Sequence, residues 1–150
     1  MTNSYSTPTD LRPGTVWVTR TGTRTFTGRN QRGAEVAIGP VEAGSVFTPG
    51  ELLKVALAGC AGMTSDAGLA RRLGDDFAMT VRAHGQSDEA EDRYLSIEED
   101  MDVDLSGLDE KELTRLRTVV DRAIEQHCTV GRTVTQSAEI STRLDGTDLR

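Results

Sequence analysis

Cysteine is scarce: the 150 residues hold two thiols, Cys60 and Cys128, set 68 positions apart. Such a pair does not make the dense disulfide framework of a small secreted domain, so each thiol is either buried and inert or redox-active. Positive charge is also short. Lys+Arg of 17 against Asp+Glu of 24 leaves a net charge of −7, which argues against nucleic acid or an anionic membrane as the main partner. The first residues, Met1 to Pro13, show no basic flank followed by an apolar run. The expectation is therefore a cytoplasmic protein with neither signal peptide nor membrane span. Several chemical signatures are missing too. There is no Gly-rich phosphate loop and no Gly-x-Ser-x-Gly elbow, which leaves nucleotide binding and hydrolase chemistry unsupported. Two lone cysteines with His84 and His127 offer none of the close pairs of a zinc site. No internal repeat or low-complexity tract is found, and no bound cofactor is expected.

What is present centres on Thr48 to Thr64, a Pro-led helix that is apolar on every side around Cys60. Pro49 suits a helix start because its missing N–H would be unpaired there anyway, and Glu51 puts negative charge where the helix dipole favours it. From Leu52 to Met63 only Lys54 is charged. A helix with no polar face has to be covered on several sides, so this one reads as a buried central helix, with Ala56, Ala58, Gly59, Ala61 and Gly62 letting other backbone come close. At roughly a dozen residues it is too short to span a bilayer.

Around it, residues 1–14 read as a flexible N-terminal arm and residues 15–150 as a single domain. Val16 to Arg20, Thr23 to Arg29 and Ala34 to Ile38 read as an antiparallel meander joined by tight turns. The central helix fades near Gly68 or continues to Gly74. A strand follows at Phe77 to Ala83, then a polar loop from Gly85 to Arg93. Leu95 to Leu105 alternates apolar and acidic residues, and in that strand Glu99 alone breaks the pattern. Its acidic stripe reads as a solvated face rather than a cation site. Ser106, three residues before Asp109, resembles a capping box, and a second helix runs to about His127. Gly131 interrupts the chain, and Val134, Ala138, Ile140 and Leu144 suggest a final strand. This order is α+β.

Taken alone, Cys60 inside its helix and Cys128 beside His127 are ambiguous, and the arginines Arg20, Arg24, Arg29 and Arg32 read as a solvated basic face. Pro49-Gly50-Glu51-Leu52-Leu53 through Ala58-Gly59-Cys60, with Cys128-Thr129-Val130-Gly131-Arg132-Thr133 in the last third, resembles the OsmC/Ohr family of thiol peroxidases, and the likeness extends from about Val16 onward. The resemblance implies an intertwined α+β homodimer in which sheets wrap two central helices. It also implies reduction of organic hydroperoxides, or of hydrogen peroxide, by a cysteine pair recycled by an external dithiol. By position, Cys60 would be the peroxidatic cysteine and Cys128 the resolving one. Arg24 would be the activating arginine, with Arg20 the alternative, and Glu51 would hold it. Where several members place the glutamate directly after Pro, this chain has Gly50 and brings Glu51 one position later. A non-catalytic protein of the same fold, holding a hydrophobic small molecule around Cys60, is the rival reading.

The attacking species is a thiolate, and Cys60 lies more than two turns inside its helix, beyond the useful reach of that helix's own dipole. A guanidinium is the natural source of stabilisation. Glu51 and Cys60 are nine residues apart, hence on opposite sides of one helix and roughly 13 Å apart along its axis. If both serve one site, Glu51 must come from a second subunit.

Overall fold

The computed structural model describes residues 7–136, 140, 143–144 and 147–148. The chain divides into two compact units, Met1–Leu53 and Lys54–Arg150, and the long helix runs from one into the other.

In the first unit, β1 (Val16–Gly22), β2 (Thr25–Asn30) and β3 (Glu35–Ile38) form an antiparallel sheet in the order β1-β2-β3, the meander expected from the sequence. Thr23 and Arg24 make the first turn, and Arg24 adopts φ 57 there, a left-handed conformation uncommon outside glycine. The second turn is shaped by Asn30, whose Oδ1 accepts from the Arg32 and Ala34 N–H groups, and by Gly33 at φ 89. Before the meander, the Arg12 carbonyl accepts from the Thr15 N–H and the Gln31 side chain. After β3 the Phe47 N–H donates to Ala37 O, which leads the chain into Thr48.

Helix α1 spans Pro49–Leu73. Its start is a capping box: the Glu51 N–H donates to Thr48 Oγ1 at 3.2 Å, and the Thr48 N–H donates to Glu51 Oε2 at 2.8 Å. It continues past Gly68 and ends where Gly74, at φ 93, donates its N–H to Ala70 O.

In the second unit, β4 (Met79–His84) pairs antiparallel with β7 (Glu98–Val103). Opposite residues share a face, so Met79, Val81, Ala83, Glu99, Met101 and Val103 lie on one side. That side meets α1: a Cβ on Gly62 would touch Val81 Cγ2 at 3.5 Å and Met79 Cε at 3.8 Å. The other side carries Arg82 paired to Asp102 at 2.9 Å, in keeping with a solvated face. The segment expected as a polar loop instead holds a two-rung hairpin, β5 (Ser87–Asp88) with β6 (Arg93–Tyr94). Asp88 Oδ1 closes it by accepting from the Ala90 and Glu91 N–H groups.

Helix α2 spans Glu110–His127, with its capping box one turn later than the sequence suggested. Asp109 is the cap: Glu112 N–H donates to its Oδ1 at 2.8 Å and Asp109 N–H donates to Glu112 Oε2 at 3.0 Å. Ser106 instead donates both its N–H and its hydroxyl to Asp104.

The largest departure comes next. Thr129–Gln136 is a helix, α3, not the break and strand expected around Gly131 and Val134. Val130 and Val134 are four apart, a helical spacing, and the threonines satisfy the helix from within, Thr133 Oγ1 donating to Thr129 O and Thr135 Oγ1 to Gly131 O. Ala138 lies outside the described residues. Ile140 is not in a strand, and Leu144 falls in a short pair, β8 (Arg143–Leu144) with β9 (Thr147–Asp148).

Among the described residues the buried apolar ones are Leu57, Ala58, Ala61, Leu69, Leu116 and Cys128. The long helix is not covered on every side, however: Val55 is 52% and Met63 82% exposed. Among the described residues no helix is long and apolar enough to cross a membrane.

Candidate active site

Cys128 joins two helices. Its N–H donates to Ile124 O at the end of α2, while its carbonyl accepts from the Arg132 N–H and its Sγ from the Gly131 N–H at 3.4 Å, capping the start of α3. The residue is 1% exposed. Glycine at 131 serves packing rather than backbone freedom: a Cβ there would sit a tight 3.1 Å from Cys128 Sγ, with Leu57 Cδ1 in ordinary contact at 3.6 Å. Thus the first turn of α3 is pressed against the middle of α1, one turn before Cys60.

Cys60 is half-buried and, like Cys128, a free thiol. Its backbone carbonyl accepts from Thr64 Oγ1 at 2.7 Å, and its sulfur faces the opening of α3. There the Val130 N–H dipole is the strongest influence and pulls the Cys60 pKa below its ordinary value, against partial burial, which pushes it up. Hydrogen bonding from the Cys128 thiol, the Thr129 N–H and the Thr64 hydroxyl lowers it further. Cys128 moves the other way. Burial raises its pKa most, the Gly131 N–H offsets part of this, and the neighbouring Cys60 and the charge of Glu99 raise it again. The arrangement can hold one thiolate beside one thiol, which suits a nucleophile paired with a second sulfur that captures its oxidised form.

Of the residues singled out in the sequence, the structure brings Cys60 and Cys128 together. Glu51 is in the capping box of α1, and Arg24 is exposed in the β1–β2 turn, with Arg20 exposed on β1. Two contributors were missed. The first is the pair of backbone N–H groups at Thr129 and Val130, which follow from α3 and have no signature in a segment whose residues suggest a break and a strand. The second is Glu99, whose signal was its place on the apolar parity of β7.

The comparisons agree with this architecture. A family model described as OsmC-like protein matches residues 42–143. Uncharacterized proteins of Mycobacterium bovis and Mycobacterium tuberculosis are each 53% identical over 126 residues, which is 84% of this chain and 92% of theirs. Among solved structures, a hypothetical protein from Aquifex aeolicus superposes with a TM-score of 0.66 at 21% identity, covering 86% of this chain and 92% of its own. An OsmC-like protein from Mycoplasma pneumoniae gives 0.64 at 12% identity, with 82% and 87% covered. The organic hydroperoxide resistance protein OhrB of Bacillus subtilis gives 0.50 at 19% identity, with 79% and 90% covered. With an α+β fold, a matching family model over most of its length and close relatives spanning nearly all of theirs, the chain belongs to the OsmC-like protein family.

Proposed function

We propose that the protein is a thiol-dependent peroxidase acting on organic hydroperoxides. The observation that carries this reading is the placement of two free thiols side by side, Cys60 on α1 facing the N–H groups that open α3 and Cys128 buried at the α2–α3 junction, with the Cys60 pKa lowered by those N–H groups and that of Cys128 raised by burial. The name of the Bacillus subtilis protein, organic hydroperoxide resistance protein, points to the same substrate class.

The chemistry balances as follows. The Cys60 thiolate attacks the terminal peroxide oxygen; the O–O bond breaks, the alcohol leaves with a proton from solvent, and Cys60 becomes a sulfenic acid. The Cys128 sulfur then attacks the Cys60 sulfur, an S–S bond forms, and the hydroxyl departs with the Cys128 proton as water. An external dithiol reduces the disulfide and takes the oxidation away. No step calls for a metal or a bound organic cofactor.

Arg24 is assigned the further stabilisation of the Cys60 thiolate, and Glu51 the task of holding its guanidinium. The strained backbone at Arg24 supports a functional reading of that turn, since such conformations persist where something holds them. The working unit is a homodimer, a reading supported by the uncovered strip of α1. Val55 and Met63 are exposed along it, and Gly59 between them has open space where a side chain would be.

The test is consumption of an organic hydroperoxide by the purified protein with a dithiol reductant. Wild type should turn over, and Cys60→Ser should consume none while keeping its fold, since the swap nearly preserves volume. Substantial turnover by Cys60→Ser would remove Cys60 from the role.

A further inference from the structure

The last turns of α1 lie against the first turns of α2, and the two helices run in opposite directions there. Gly68 faces Val119, whose Cγ1 would be 3.1 Å from an added Cβ, and one turn further along α1 the Arg72 guanidinium pairs with Glu112 Oε1. Between these two closures, and wholly within the second unit, lies a cavity of about 310 Å³. Its apolar wall is Leu116, 6% exposed, and Val119, 47% exposed. Its charged rim is Arg71, Arg72 and Arg115, with Glu112. The placement of the two outer arginines follows from helix geometry. Arg71 comes one step before Arg72, and Arg115 one step before Leu116; a step back is a turn of about 100° on either helix. For two right-handed helices packed in opposite directions, that turn leads to the same flank of the pair. Both arginines accordingly line the one cavity.

The charges on this rim are unequally used. Glu112 is engaged twice, Oε1 with Arg72 and Oε2 with the Asp109 N–H. Among the described residues Arg71 and Arg115 make no ion pair, nor do Asp75 and Asp76 just past the end of α1. Basic residues suit the last turn of a helix, which accounts for Arg71 and Arg72 on α1. Arg115 has no such reason, since it is near the opening of α2, the end at which a helix favours negative charge. A chain of net charge −7 thus sets two uncommitted guanidinium groups beside an apolar wall.

We propose that this cavity binds a small carboxylate with a hydrocarbon body, the carboxylate held by Arg71 and Arg115 and the body lying on Leu116 and Val119. A bare inorganic anion would leave Val119 in water, and an uncharged chain would leave the arginines unmatched. Ligand cavities run from roughly 300 to 1,000 Å³, so this one takes a short occupant, a medium-length fatty acid rather than a phospholipid. The site involves neither Cys60 nor Cys128 and stands whether or not they reduce peroxides.

The test is titration of the isotope-labelled full chain with octanoate, below its micelle concentration, followed by NMR. Binding should saturate, with the largest shifts at the Gly68 and Val119 amides and at the Arg71 and Arg115 side chains. Arg71→Gln and Arg115→Gln should each weaken it about five- to ten-fold, the share of one charged hydrogen-bonding partner at a half-open site. Octanamide, the same chain without the charge, should bind about ten-fold more weakly than octanoate. Arg117→Gln, about 200° round α2 from Arg115, should leave the affinity unchanged. Octanoate that does not saturate, as when a second copy of the chain closes the groove in solution, overturns the proposal. So do shifts centred elsewhere, equal binding of octanamide, an unchanged affinity in either lining variant, or an equal loss with Arg117→Gln.

Discussion

Gly131 sets two effects of opposite sign against each other. Inside a helix, glycine is about 0.5–1 kcal/mol worse than alanine, so Gly131→Ala ought to stabilise α3. The added methyl, however, would lie 3.1 Å from Cys128 Sγ, and overpacking a fitted site costs about 1–3 kcal/mol. The second effect wins: Gly131→Ala should lose about 1 kcal/mol in urea unfolding and slow alkylation of Cys60, because displacing Cys128 disturbs the first turn of α3. A variant more stable than wild type would show that the crowding is relieved at no cost. A second prediction concerns the arginines. Arg24→Met should raise the Cys60 pKa and slow attack at neutral pH, with recovery at alkaline pH where the thiolate forms unaided, and Arg20→Met should do much less. The check is the pH dependence of Cys60 alkylation in a Cys128→Ser background, and the reverse order would transfer the role to Arg20. Side chains of this kind are legible in sequence because their chemistry is in the residue type. Backbone N–H groups have no such signature, and the dipoles at Val130 and Thr129 became visible only with the helix that aims them.

At the scale of elements, both long helices open with the same device, Thr48 with Glu51 and Asp109 with Glu112, each pairing a side chain with a backbone N–H in both directions. Asp109→Ala should cost about 1 kcal/mol, whereas Ser106→Ala, which breaks only an exposed contact with Asp104, should cost a few tenths. Urea midpoints of the two variants decide between the cap seen in the structure and the one a turn earlier that the sequence suggested. The meander was legible from short runs broken by turn residues, α1 from its Pro start and unbroken apolar stretch, and α2 and β4 from their apolar periods. Helix α3 was not, since its eight residues are rich in Thr and Val and contain a glycine, features shared with strands and turns. What settles it is tertiary: Cys128 caps the turn, and the glycine is there to admit a sulfur and a leucine methyl.

For the molecule as a whole, the sequence suggests a helix covered on several sides, and a single chain covers only part of it. Leu57, Ala58, Ala61 and Leu69 are buried, while Val55 and Met63, eight positions apart and so on one stripe, stand open. An exposed methionine in a monomer tolerates substitution within about 0.5 kcal/mol, so Met63→Glu should barely change the stability of an isolated chain. In the homodimer proposed above the same change places a charge where a second helix must pack, a cost of several kcal/mol unless the subunits separate. Wild type should therefore sediment as a dimer and Met63→Glu as a folded monomer. If Arg24 and Glu51 serve Cys60 from the partner subunit, the monomer should also lose most hydroperoxide turnover while keeping its own Cys60–Cys128 pair. A dimeric Met63→Glu would place the subunit contact away from this stripe. A monomer with full turnover would show that each chain activates its own cysteine, leaving the N–H groups of Thr129 and Val130 to provide the stabilisation.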